Sequence, residues 1–125
     1  MTEYNLLTNT DLFTRLKGGD YAAYSEIYQR YGGILFVFIQ KRFADKTDAE
    51  NILIEVFVDL WDNREMIEIT GLISTYFYVS LRTKMLNFLE RNAMQNHYIN
   101  FIENFNDKDI VITDDWLEQN NSHLH

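Results

Sequence analysis

The chain has 125 residues, 46 % of them apolar and 15 % aromatic, which is the composition of one folded domain and not of a disordered tail. A formal net charge of −8 argues against sequence-blind binding to nucleic acid. The absence of cysteine excludes disulfides, thiolate metal sites and a thiol nucleophile.

The first residues lack the basic start and apolar stretch of a secretory signal. The longest strictly apolar run, Ile34 to Ile39, is six residues against the roughly 20 that cross a bilayer. The expectation is a soluble, cytoplasmic protein with no membrane insertion. With no proline and five glycines, long uninterrupted helices are favoured over turn-rich β-structure.

In chain order, Thr10 and Asp11 read as a helix start and Gly18-Gly19 as a stop, giving a short first helix over 11–17. Asp20 can cap a second. Its apolar and aromatic positions Tyr21, Tyr24, Ile27, Tyr28, Tyr31, Leu35, Phe38 and Ile39 keep helical spacing to about Phe43. The four tyrosines fall at the core or its edge, with hydroxyls reaching water. Gly32-Gly33 sits mid-run, where it would kink the helix or admit a close neighbour.

Thr47 with Glu50 fits a capping box for a third helix running to about Arg64. In DAENILIEVFVDLW (48–61), Ile52, Leu53, Val56, Phe57, Leu60 and Trp61 form one apolar stripe. Glu50, Asn51, Ile54, Glu55, Val58, Asp59 and Asp62 fall on the other side, and two apolar residues among acids suit a protein partner. A loop over 65–70 leads to a fourth helix capped by Thr70. Leu72, Ile73, Tyr76, Phe77, Val79, Leu81, Met85, Phe88 and Leu89 carry its pattern toward Asn92. Tyr76, Phe77 and Tyr78 are consecutive, so one helix face cannot bury all three.

The first 100 residues hold ten Lys/Arg against thirteen Asp/Glu, and the last 25 hold one Lys against six acids. The chain therefore divides into a helical body, 1–96, and an acidic extension, 97–125. Within the extension Tyr98–Phe105 can prolong the last helix, and Phe105 and Trp116 invite packing. His97, His123 and His125 are too scattered for a metal site, and no cofactor is expected. There is no phosphate-binding glycine loop, Glu-x-x-His motif or convergent carboxylate pair, so enzyme chemistry finds no support.

Three segments together resemble region 2 of sigma-70 family transcription initiation factors, particularly the extracytoplasmic-function group. They are FTRLKGGDYAAYSEIYQRY (13–31), DAENILIEVFVDLW (48–61) and GLISTYFYVSLRTKMLNFL (71–89). The resemblance implies an all-α bundle of three long helices plus a short N-terminal one. It also implies docking of the 48–62 helix on the β′ clamp helices of core RNA polymerase. Carried over by position, Asn51, Ile54, Glu55, Val58, Asp59 and Asp62 would contact polymerase. Arg64, Tyr76, Tyr78, Arg82, Thr83 and Lys84 would engage the promoter minus-ten element, aromatic rings stacking on unpaired bases and cations holding phosphates.

An anti-sigma factor is implied by the resemblance alone. This group also carries a region 4 domain that the 125 residues do not include. Residues 97–125 would then be a linker toward it, whether it was excised or is naturally missing. Four positions depart from the family pattern: Asn51 for Asp, Ile54 for Gln, Thr83 for Asn and Glu90 for Arg. The glutamate would repel phosphate. The alternative is a sigma-like interaction module that no longer reads DNA, and an acidic surface around Arg82 and Lys84 would favour it.

Overall fold

The computed structural model describes residues 3–67 and 73–92. These form an all-α bundle: α1 (Asn9–Lys17), α2 (Tyr21–Gln40), α3 (Lys46–Asp62) and α4 (Ile73–Arg91), preceded by a 3-10 turn at Tyr4–Leu6. Helix α2 packs on α1 and α3, and α3 packs on α4. The expected architecture, three long helices and a short one, is the one observed. The expectations for Thr70, Leu72, the extension 97–125 and its histidines lie outside the described residues.

Two helix starts differ from the sequence reading. Helix α1 begins earlier, because Thr8 and not Thr10 is the cap, its hydroxyl oxygen accepting from Asp11 N at 3.1 Å. Helix α3 begins at Lys46, capped by the Asp45 carboxylate, which accepts from Asp48 N at 3.0 Å. Thr47 is therefore inside the helix and no capping box forms. Asp and Thr are both good caps, and two residues upstream Asp45 also brings its negative charge to the helix N-terminus. Asp45→Ala should cost about 1 kcal/mol in urea unfolding, whereas Thr47→Ala should be neutral or slightly stabilising because alanine is the better helix former. A loss at Thr47 would restore the capping box.

Asp20 caps α2 as expected, accepting from Ala22 N and Ala23 N. That helix ends at Gln40, short of Phe43, and runs unbroken through Gly32-Gly33. The three atoms nearest to where a Gly32 Cβ would be, at 3.4–3.5 Å, belong to the Tyr28 ring one turn back and not to a neighbouring helix. The tyrosine stripe divides. Tyr31 is fully buried and its hydroxyl does not reach water as expected, while half-buried Tyr24 donates its hydroxyl to the Phe57 carbonyl. Tyr21 and Tyr28 are exposed.

The core is aromatic at its centre. Phe77 of α4 is fully buried against Phe13 of α1, Tyr31 of α2 and Phe57 of α3, with ring centroids 6.2, 4.9 and 5.9 Å away. The α3 stripe packs inward as its spacing predicts, with Ile52, Leu53, Val56, Phe57 and Leu60 buried and Trp61 at the edge. Each fully buried side chain of this kind contributes roughly 1.5–3 kcal/mol from transfer out of water. Val79, counted among the apolar positions of α4, is instead 54 % exposed. It lies two residues after Phe77, close to the opposite side of the helix.

Arg30 ties the N-terminal arm to α2. Its guanidinium donates to the carbonyls of Tyr4, Asn5 and Leu7 and to Asn9 Oδ1, and it pairs with Glu26. Tyr4 donates to Asp20 Oδ2 at 2.6 Å. That bond, helped by the α2 amides and Arg15, holds the Asp20 carboxyl below its ordinary range.

Candidate functional site

With the α3 stripe buried, the residues between its turns are committed to the opposite side. Ile54 and Val58 lie four residues apart and are 57 % and 50 % exposed. They line an open groove of about 470 Å³ between α3 and α4, with Glu55, Asp59 and Asp62 of α3 and Lys84, Asn87, Glu90 and Arg91 of α4. Five of the six expected polymerase contacts thus share one surface. Asn51 is exposed on the same helix but does not line the groove.

Two ion pairs bridge the groove. Arg91 Nη2 stands 2.8 Å from Glu55 Oε1, and Lys84 Nζ stands 3.4 Å from Asp59 Oδ1. Asp59 Oδ1 also accepts from Asn63 Nδ2 at 3.0 Å. Partly exposed pairs of this kind contribute at most about 1 kcal/mol each, so they orient side chains more than they stabilise the fold. Four acids, Glu55, Asp59, Asp62 and Glu90, face two bases, leaving the groove acidic around its apolar pair.

The six residues expected to meet DNA do not form one surface. Lys84 belongs to the groove, through Asp59. Arg64 lies with its guanidinium carbon 4.2 Å from the Trp61 ring centroid and donates to the Trp61 carbonyl. Tyr76 and Tyr78 are half-buried and pack against the core, which leaves each with only part of its ring for a base. Arg82 and Thr83 are exposed on α4.

Tyr76 and Ser80, one turn apart, place their hydroxyls where water does not reach, and neither finds a partner in hydrogen-bond geometry. Burial, reinforced by the charge of Asp59 and opposed by the neighbouring Ser80 hydroxyl, pushes the Tyr76 phenol up to about 12. Below pH 10 the phenol is protonated in both folded and unfolded chains. Between about 10 and 12 only the unfolded chain gives up this proton, so stability falls as pH rises through that window. Tyr76→Phe should flatten the alkaline limb of a stability–pH curve, and an unchanged slope would contradict the burial of this hydroxyl.

Asn87 and Arg91 were not among the expected site residues. Their signal was present: Lys84, Asn87 and Arg91 follow three-and-four spacing along one α4 face. What the sequence lacked was the register of α4 against α3.

Among the described residues no group of three or more His, Cys, Asp and Glu side chains could hold a metal. No helix among them is long and apolar enough to cross a membrane. Compared with protein-family models, with curated proteins and with solved structures, the chain has no match in any of the three.

Proposed function

We propose that this chain is a region 2-type transcription initiation factor domain that docks on the β′ clamp helices of core RNA polymerase through α3. It would engage the promoter minus-ten element through the segment from Asn63 to Lys84. The observation that carries the reading is the exposed pair Ile54 and Val58, set among Glu55, Asp59 and Asp62 on a helix whose other face is core. Exposed aliphatic side chains one turn apart, rimmed by charge, are the anatomy of a protein-binding face. The promoter role rests on the resemblance and on exposed Arg82 and Thr83. The domain itself is catalytically inert and acts in the cytoplasm, and an anti-sigma factor is a further partner under this reading.

One observation favours the alternative, a sigma-like interaction module that no longer reads DNA. Lys84, expected to hold phosphate, is paired with Asp59 in an acidic groove. The test is a selection from fork-junction DNA with a randomised single-stranded minus-ten segment, run on core polymerase with and without the chain. Chain-dependent enrichment of a sequence, lowered by Arg82→Ala, is expected. No enrichment, with polymerase binding intact, would establish the alternative.

A further inference from the structure

Residues 3–7 are held to the bundle mainly by polar bonds to two side chains, Arg30 within α2 and Asp20 at its cap. Arg30 Nη2 donates to the carbonyls of Leu7, Tyr4 and Asn5 at 2.7, 3.1 and 3.3 Å, and Nη1 donates to Asn9 Oδ1 at 3.0 Å. Nε is committed to Glu26, so every nitrogen of the guanidinium is engaged. The second attachment is the Tyr4 hydroxyl on Asp20 Oδ2, with the Arg15 guanidinium carbon 5.6 Å from the Tyr4 ring centroid. Apolar burial adds little: no residue of the 3-10 turn is buried, Tyr4 and Leu7 are only partly buried against the core, and Leu6 is 74 % exposed.

We propose that residues 3–7 form a strap that opens and closes as a unit on an intact bundle, with Arg30 as its lock. Opening is a local event because it gives up little apolar burial, and one side chain governs it because three strap carbonyls converge on one nitrogen. Lysine cannot take the place of that arginine, since an ammonium has its three donors on one atom and no planar fork to span Glu26, Asn9 and the strap. Helix α2 does not depend on the strap for its start: Asp20 caps it through Oδ1 and receives Tyr4 on Oδ2. Once the strap is open, Tyr4, Leu6 and Leu7 become a short apolar stretch of free chain. No strap residue lines the α3–α4 groove, so the strap stands whatever α3 binds.

The test is native-state hydrogen exchange of the whole chain, read by NMR. The Leu6 and Leu7 amides, bonded to the Glu3 and Tyr4 carbonyls in the closed strap, report its opening. The amides of Val56 in α3 and Leu81 in α4, both in the core, report the bundle. In the parent chain the strap amides should be less protected than those of Val56 and Leu81, and their exchange should hardly respond to low urea, because local opening exposes little surface. Circular dichroism establishes that each variant keeps its helices.

Arg30→Lys should speed exchange at Leu6 and Leu7 by one common factor of about tenfold or more, the effect of losing a charge-assisted hydrogen bond. Tyr4→Phe, which removes only the bond to Asp20, should speed both by a smaller common factor. Deletion of residues 2–7 should leave helical content and a cooperative melt, since Thr8 still caps α1. Strap amides that follow urea as Val56 does overturn local opening. Unchanged rates in Arg30→Lys overturn the lock, and unequal factors at Leu6 and Leu7 overturn opening as a unit. A deletion variant that does not fold makes these residues an integral part of the bundle and overturns the strap.

Discussion

The double variant Ile54→Asp, Val58→Asp should fail to assemble with core RNA polymerase while melting within about 5 °C of the parent chain. Both side chains are at least half exposed, and substitutions at such positions usually change stability by no more than about 0.5 kcal/mol. Their burial would come only with a partner. Two carboxylates placed at the centre of that contact would be desolvated without counter-charges, beside Glu55, Asp59 and Asp62. Central contacts of this kind each cost about 2 kcal/mol or more, so the affinity should fall at least about a hundredfold. Native gels with core polymerase and thermal melts of the free chain measure the two halves. A variant that is folded and still binds would remove α3 from the interface.

Phe77→Ala should be the most destabilising single substitution in α4. The ring touches aromatic side chains from α1, α2 and α3, so its removal opens a cavity where all four helices meet. Large-to-alanine changes at aromatic core positions cost about 3–5 kcal/mol, a large part of the 5–15 kcal/mol that holds an ordinary domain together. The midpoint of urea unfolding should fall sharply. Val79→Ala, on the exposed side of the same helix, should stay within about 0.5 kcal/mol. Comparable losses at the two positions would mean that α4 is rotated from the orientation described here.

That contrast also marks what was legible in the sequence. The helices of the body could be read because apolar spacing is set by the helical repeat, and the α3 stripe is buried nearly residue for residue. Ile54 and Val58 stood out for the same reason, as apolar residues where the period calls for polar ones. Val79 misled because α4 is apolar over much of its circumference, and composition alone does not choose a face. The caps slipped by two residues at Thr10 and at Thr47 because Thr8 and Asp45 are equally able acceptors. Only backbone geometry decides between them.

The site was less legible than the fold. The residues of the groove come from two helices, and the distance of Lys84 from Asp59 depends on their packing, which no local pattern encodes. Reading α3 and α4 separately assigned their charges to different partners. Their pairing makes Lys84 and Asp59 one feature, and it is the main reason the DNA-facing half of the proposal carries an alternative. The stacking of Arg64 on Trp61 is similar, since an arginine beside a half-buried aromatic gains a cation–π contact that the sequence alone does not separate from a DNA contact.

The central claim is that the outer face of α3 binds polymerase, and calorimetric titration of the chain into a purified β′ clamp-helix fragment tests it most directly. Dissociation constants in the micromolar range or tighter, with a negative heat-capacity change from burial of Ile54 and Val58, are the expected result. No detectable heat at two temperatures, with both components folded, would contradict the docking and leave this helical bundle to another partner.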